Sequence, residues 1–319
     1  MMTLYTDISN LLSLLHSNEE MKDESTRMLH KQFDVYFNFP KEEIKNHQSI
    51  LAWMQLFVQG RPATVSHRFD AFFPDRPLKS NSTNNFSSSQ LMSVYLLEDE
   101  NIDKLKGAGS VMVGEKSQEI QVLKSFFLGQ NDYSFDRELR IGDEGFQKWE
   151  DLEQFSTPLT DILIIDPYIL KNTEVESTTI DHNLIRLLEV LCCKSRSKVN
   201  IVILVNPSNL SYNVDQVKDK IKISLNAILG KKPNVTFVLS HKEHDRTVIT
   251  NYLRITGNTF NYWNERKQKI NKGKEITIKS LAKKEIYDNA LKAYEDVQTI
   301  INESPEIAGD KISNFLQFE

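Results

Sequence analysis

The sequence predicts an α/β protein, and three stretches of its second half carry that prediction. Asp161–Ile165 (DILII), residues 199–205 (VNIVILV) and residues 235–239 (VTFVL) are short, apolar and rich in β-branched side chains. Two longer segments between them, residues 180–193 and Val214–Leu229, repeat their apolar positions at helical spacing. Strand, helix, strand, helix, strand is the rhythm of a mainly parallel sheet flanked by helices, whose right-handed crossovers set consecutive strands side by side. Apart from Asp161 and Asn200 the first two runs are apolar throughout, as fits strands covered on both faces.

The chain has 319 residues, which favours two domains over one. Composition changes at Thr157-Pro158, so the expected division is residues 1–156, a mixed α/β region, and residues 157–319. In the first part Ile8, Leu11, Leu12 and Leu15 predict an amphipathic helix, residues 19–36 a second, and residues 41–59 a third, opened after Pro40 and stopped by Gly60-Arg61-Pro62. Residues 63–73 read as a strand or turn, so His67-Arg68-Phe69-Asp70 is taken as surface, not as a catalytic group. Residues 74–90, rich in Pro, Ser and Asn, form the clearest flexible loop, a lid or an insertion. Residues 91–97 and 110–113 are strands. Gly107-Ala108-Gly109 is a tight turn, because no Walker lysine-serine pair follows it. Residues 118–128 predict a helix, 132–141 a strand, and 146–155 a short helix carrying Trp149.

Charged residues make up 26% and apolar ones 39%, which excludes a disordered chain. A net charge of −5 argues against a protein coated in nucleic acid but leaves room for a local basic surface. Cys192 and Cys193 are adjacent in an apolar helical run, too few for a zinc site and badly placed for a structural disulfide. Reduced cysteines, with no signal peptide and no transmembrane segment expected, point to the cytoplasm.

The polar cluster with chemical content is His244-Asp245-Arg246, at the end of the third apolar run. Residues 247–250 are again strand-like, Gly257-Asn258 signals a turn, and residues 259–263 read as a further strand. His241, Glu243 and His244 do not make a metal site, since on a strand end the two histidines face opposite sides. From Asn264 through residue 284, eight basic residues including Lys267, Lys269, Lys272 and Lys274 face two acids, with a turn near residues 271–274, a short strand at 276–278 and a long helix over 280–302.

His244-x-Arg246-x4-Asn251, with Gly257, Asn258 and Asn261 following, resembles the phospholipase D superfamily's H-x-K-x4-D motif with arginine for lysine and asparagine for aspartate. Asp166-Pro167-Tyr168 ending a strand, His-Asp-Arg downstream and Asn251-Tyr252 resemble more closely a degenerate branch of it, the C-terminal domain of microtubule-interacting-and-trafficking proteins. The resemblance covers residues 157–263 and implies a phospholipase-D-like second domain. It also implies a chemistry: an imidazole attacks phosphorus, a cation neutralises the equatorial oxygens, and a second histidine protonates the leaving oxygen. Here arginine clamps phosphate with different geometry from lysine, and no second histidine has the motif's spacing.

The leading expectation is therefore non-catalytic, a module that recognises phosphate or nucleic acid or binds a protein partner. His244, Arg246, Asn258 and Asn261 would bind the anion, Lys267, Lys269, Lys272 and Lys274 would flank it, and Asp166, Tyr168, Asp245 and Tyr252 would support it. By analogy such modules serve bacterial antiviral defence, or phosphoinositide surfaces in the eukaryotic relatives. The alternative is a metal-independent phosphodiesterase or nuclease using His244, Arg246 and Asn251, as a homodimer that pairs two His244 side chains. A third is a scaffold subunit. No cofactor and no metal is expected.

Overall fold

A computed structural model describes residues 2–16, 33–37, 41–60, 91–97, 111–114, 118–129, 135–142, 145–171, 179–210, 213–242, 245–264, 266–269, 272–303 and 306–318. The expected loop at 74–90, the segment 63–73, the turn at 107–109 and His244 lie outside these residues.

The chain divides into two compact units, Met1–Tyr133 and Ser134–Glu319. Both combine helices with sheets, as the α/β expectation required. The expected boundary at 156/157 moves to 133/134, because a strand at Asp136–Arg140 pairs within the second unit's sheet.

In the first unit β1 (Met2–Thr6), β2 (Phe33–Phe37), β3 (Ser93–Leu97) and β4 (Val111–Gly114) form a parallel sheet in the order β2-β1-β3-β4. The expected helix at 19–36 gives way to strand β2 at its end. Phe33, Val35 and Phe37 fall at a period of two there, and aromatic and β-branched residues suit a pleated surface. Helix α1 (Ile8–His16) buries Leu11 and Leu15, and Asp7 caps it by accepting from the Asn10 amide at 2.9 Å. Helices α2 (Gln48–Gly60), which buries Ile50 and Trp53, and α3 (Gln118–Gly129) follow, and Tyr5 stacks on Tyr95 at 4.3 Å between β1 and β3.

In the second unit β5 (Asp136–Arg140), β6 (Asp161–Ile165), β7 (Asn200–Val205), β8 (Asn234–Leu239), β9 (Thr247–Thr250), β10 (Leu253–Gly257), β11 (Glu275–Ser280) and β12 (Glu306–Gly309) form one sheet, ordered β12-β8-β7-β6-β9-β10-β11-β5. Helices α4 (Arg186–Cys192), α5 (Val214–Leu229) and α6 (Lys284–Asn302) complete it. Asn213 caps α5 at its start, and Gly230, left-handed at φ 67°, ends it. Strands β6, β7 and β8 are parallel neighbours, buried along their whole length. The sheet as a whole is not mainly parallel. Strand β9 lies antiparallel to β6, and β10, β11, β5 and β12 all join antiparallel. The cause is local: only two residues separate β9 from β10, too few for a crossover.

One consequence sets the site. Strand β9 follows β8 in the chain but pairs with β6, so the end of β8 and the start of β9 lie three strand positions apart at the carboxyl end of the parallel strands. The seven residues between them reach about 23 Å, against about 14 Å for three strand spacings. Arg246 is thereby delivered beside Asp166, since Thr247 registers with Ile165. The expected strand at 259–263 is instead an irregular return, whose Trp263 makes an isolated antiparallel bridge to Lys269 outside the sheet. Among the described residues no helix is long and apolar enough to cross a membrane.

Candidate anion-recognition site

The carboxyl end of β6 runs into a turn at Asp166-Pro167-Tyr168. Asp166 is wholly buried, and its Oδ1 accepts from the Tyr168 amide at 2.9 Å. The Arg246 Nε lies 3.8 Å from the same oxygen, close enough for charge attraction but too long for a hydrogen bond. The Arg246 guanidinium also sits over the Tyr168 ring at 4.9 Å from its centroid, a cation–π contact. Lys171 uses the same ring, its Nζ at 5.3 Å. Two cations are thus held on one aromatic side chain. The Arg246 side chain remains 33% exposed although its Nε is buried, so its accessible surface lies elsewhere on the side chain.

Three buried polar atoms here, Asp166 Oδ2, Arg246 Nε and the Tyr262 hydroxyl, have no hydrogen-bond partner among the described residues. Burial pushes the Asp166 carboxyl up to about 6, opposed by the Tyr168 amide, the Arg246 charge and the Phe260 amide. Burial, with Asp166 nearby, raises the Tyr262 phenol as well. Gly257 makes this packing possible, because a Cβ there would meet the Tyr262 hydroxyl at 2.9 Å.

The wall behind the site is built by residues that belong to none of the motifs. A single π-turn, Asp181–Ile185, precedes α4. Its Asn183 Oδ1 accepts from the Tyr262 and Trp263 amides at 2.8 and 3.0 Å, and its Nδ2 donates to the Trp263 carbonyl at 2.8 Å. Phe146, Trp149, Tyr262 and Trp263 pack ring against ring, with centroids 5.2–5.9 Å apart. Nothing in the sequence marks Asn183. Lys171, three residues beyond Tyr168, is visible as a cation one turn from an aromatic.

The predicted residues do not all meet in one place. Asp166, Tyr168, Arg246 and Asn261 come together, Asn261 by donating to the Tyr168 carbonyl at 2.9 Å. Asp245 is exposed next to Arg246, and Asn258 is exposed at the turn after β10. Asn251 and Tyr252 do not belong to the site. They lie at the other end of β9, about 16 Å along the strand from Arg246. There Asn251 accepts from the amides of Thr160 (2.8 Å) and Asp161 (3.2 Å) and donates to the Thr160 hydroxyl. Tyr252 is buried, and its carbonyl accepts from Leu281. Lys267, Lys269, Lys272 and Lys274 lie between β10 and β11 at the same sheet end as Arg246, and Lys269 donates to Gln147. Among the described residues no three of His, Cys, Asp and Glu converge as metal ligands.

No family model and no curated protein matches the chain. Among solved structures, it is similar to one described as "Structure of TrmBL2, an archaeal chromatin protein, shows a novel mode of DNA binding". The TM-score is 0.28 and the identity 11%, over 94% of this chain and 99% of that one. That level lies below a shared fold, so nothing is carried over from it.

Proposed function

We propose that the second unit is a non-catalytic phosphate-recognising module with Arg246 as its anion-binding group. One observation carries the reading. The guanidinium is fixed by the Tyr168 ring and by a wholly buried carboxylate, yet a third of the side chain stays open. A guanidinium fixed in this way loses little freedom when an oxyanion arrives. Lys171 on the same ring supplies a second positive charge. The convergence of Asp166, Tyr168, Arg246 and Asn261 supports the resemblance to the degenerate phospholipase-D-like branch. Catalysis draws no support from Asn251, which serves the opposite sheet end.

The test is equilibrium titration with methyl phosphate and with a short oligonucleotide, in EDTA. Arg246→Ala is expected to weaken both at least tenfold, the scale of a lost charge-assisted contact, and Arg246→Lys to recover part of it. Hydrolysis of the oligonucleotide that disappears in His244→Ala would replace this reading with the enzyme. Unchanged binding in Arg246→Ala would leave a scaffold.

A further inference from the structure

The carboxyl ends of β6 and β5 and the end of β10 open at one edge of the sheet, together with the starts of β9 and β11. The loops along this edge present Arg246 beside β6, then Arg266, Lys267, Lys272 and Lys274 between β10 and β11, then Lys148 beyond β5. All of these but Arg246 are exposed outright. The start of β11 lies two strand spacings, about 10 Å, from the start of β9. Cations therefore line the edge over a span of several phosphates.

The described acids of this stretch are partly occupied. Glu275 pairs with Arg140 at 2.8 Å, and Asp151 accepts from the amides of Gln147 (2.5 Å) and Lys148 (3.0 Å). Asp245 is the exposed acid next to Arg246. The loop carrying the cations is held in shape: Asn264 Oδ1 accepts from the amides of Arg266 (3.0 Å) and Gln268 (2.9 Å). Lys267 takes a left-handed φ of 57° there.

The aromatics decide what kind of polyanion fits. Phe260, Tyr262 and Trp263 are buried, and the Tyr168 ring is taken by Arg246 and Lys171. Among the described residues of this edge no ring is free for a base to stack on, as single-strand binders require. The described exposed large hydrophobics, Ile223, Leu291 and Ile312, lie on other elements, so nothing described here inserts into a bilayer. We infer that this edge follows the phosphate backbone of duplex nucleic acid without reading sequence, Arg246 taking one phosphate and Lys272 and Lys274 taking others further along.

This rests on the proposed phosphate site, and one experiment separates the two. Fluorescence anisotropy would compare wild type, Arg246→Ala and Lys272→Ala/Lys274→Ala on duplex DNA, single-stranded DNA of equal length, and phosphatidylserine vesicles across a salt series. Methyl phosphate serves as the single-phosphate control. The double variant is expected to bind duplex about tenfold or more weakly, with a salt slope shallower by about two, while methyl phosphate binding stays as in wild type. Duplex binding should exceed single-strand and vesicle binding. An unchanged slope in the double variant, or tighter binding to single strands or vesicles, overturns the inference and leaves the Arg246 site standing. Loss of methyl phosphate binding in the double variant overturns it too, by merging the lysines with the Arg246 site. No methyl phosphate binding in wild type ends both.

Discussion

Strand β6 carries a buried aspartate at each end, and the two are handled in opposite ways. At the amino end Asp161 accepts from the Asn314 amide (3.0 Å), the Asn314 side chain (2.6 Å), Asn200 (3.4 Å) and Ser313 (3.5 Å). Asn200 is held in turn by Asn234 at 2.7 Å, so three neighbouring parallel strands are joined by a polar ladder in register. Every hydrogen-bond donor to Asp161 is neutral and supplied by the chain itself. At the carboxyl end Asp166 has one oxygen with no partner among the described residues and faces a cation that it does not hydrogen-bond. A satisfied buried network fixes structure, whereas a part-satisfied one calls for a further partner, which an ordered water, an ion or a ligand can supply. The contrast teaches where to look for function in this sheet.

The contrast breaks first under substitution at the closed end. Asn251→Ala strips the Thr160 and Asp161 amides of their acceptor in a buried place, so unfolding in urea should show a loss of about 2–4 kcal/mol. Phosphate affinity should not change. A variant that loses affinity at unchanged stability would mean the two ends are not separate.

Asp166→Asn sharpens the comparison through pH. The folded carboxyl titrates near 6, above its unfolded value near 3.8, so the fold binds this proton more tightly than the unfolded chain does. Its contribution is therefore most favourable below about pH 4 and is lost as pH rises through about 6. The stability difference between Asp166→Asn and wild type should shift in the variant's favour by about 1–3 kcal/mol between pH 4 and pH 8. A pH-independent difference would mean that burial does not penalise the ionised form.

Tyr168→Leu removes the ring under both cations and should weaken phosphate binding several-fold, with Tyr168→Phe close to wild type. The effect is smaller because the carboxylate still attracts Arg246. Equal losses in both variants would point to the hydroxyl, not the ring face.

Much of this arrangement was legible in the sequence. DILII and VNIVILV announce strands covered on both faces, and the resemblance groups Asp166-Pro167-Tyr168 with Arg246, which the pairing of β6 with β9 brings together. The antiparallel flank escaped notice, since β10 (LRITG) and β12 (EIAG) are too short and mixed to show a period. Asn251 was misread because motif spacing along an extended strand cannot bring its ends together: five residues span about 16 Å. Asn183 and Lys171 act through contacts set by tertiary packing, with 79 residues separating Asn183 from Tyr262.

The most direct measurement follows the Arg246 Nε–H by nitrogen-detected magnetic resonance during titration with methyl phosphate. The Arg246 Nε–H and the Tyr168 amide should shift together along one saturating curve, while the Asn251 side-chain amide stays fixed. An Arg246 signal that does not move at saturating phosphate, or an Asn251 signal that moves as far, would contradict the account.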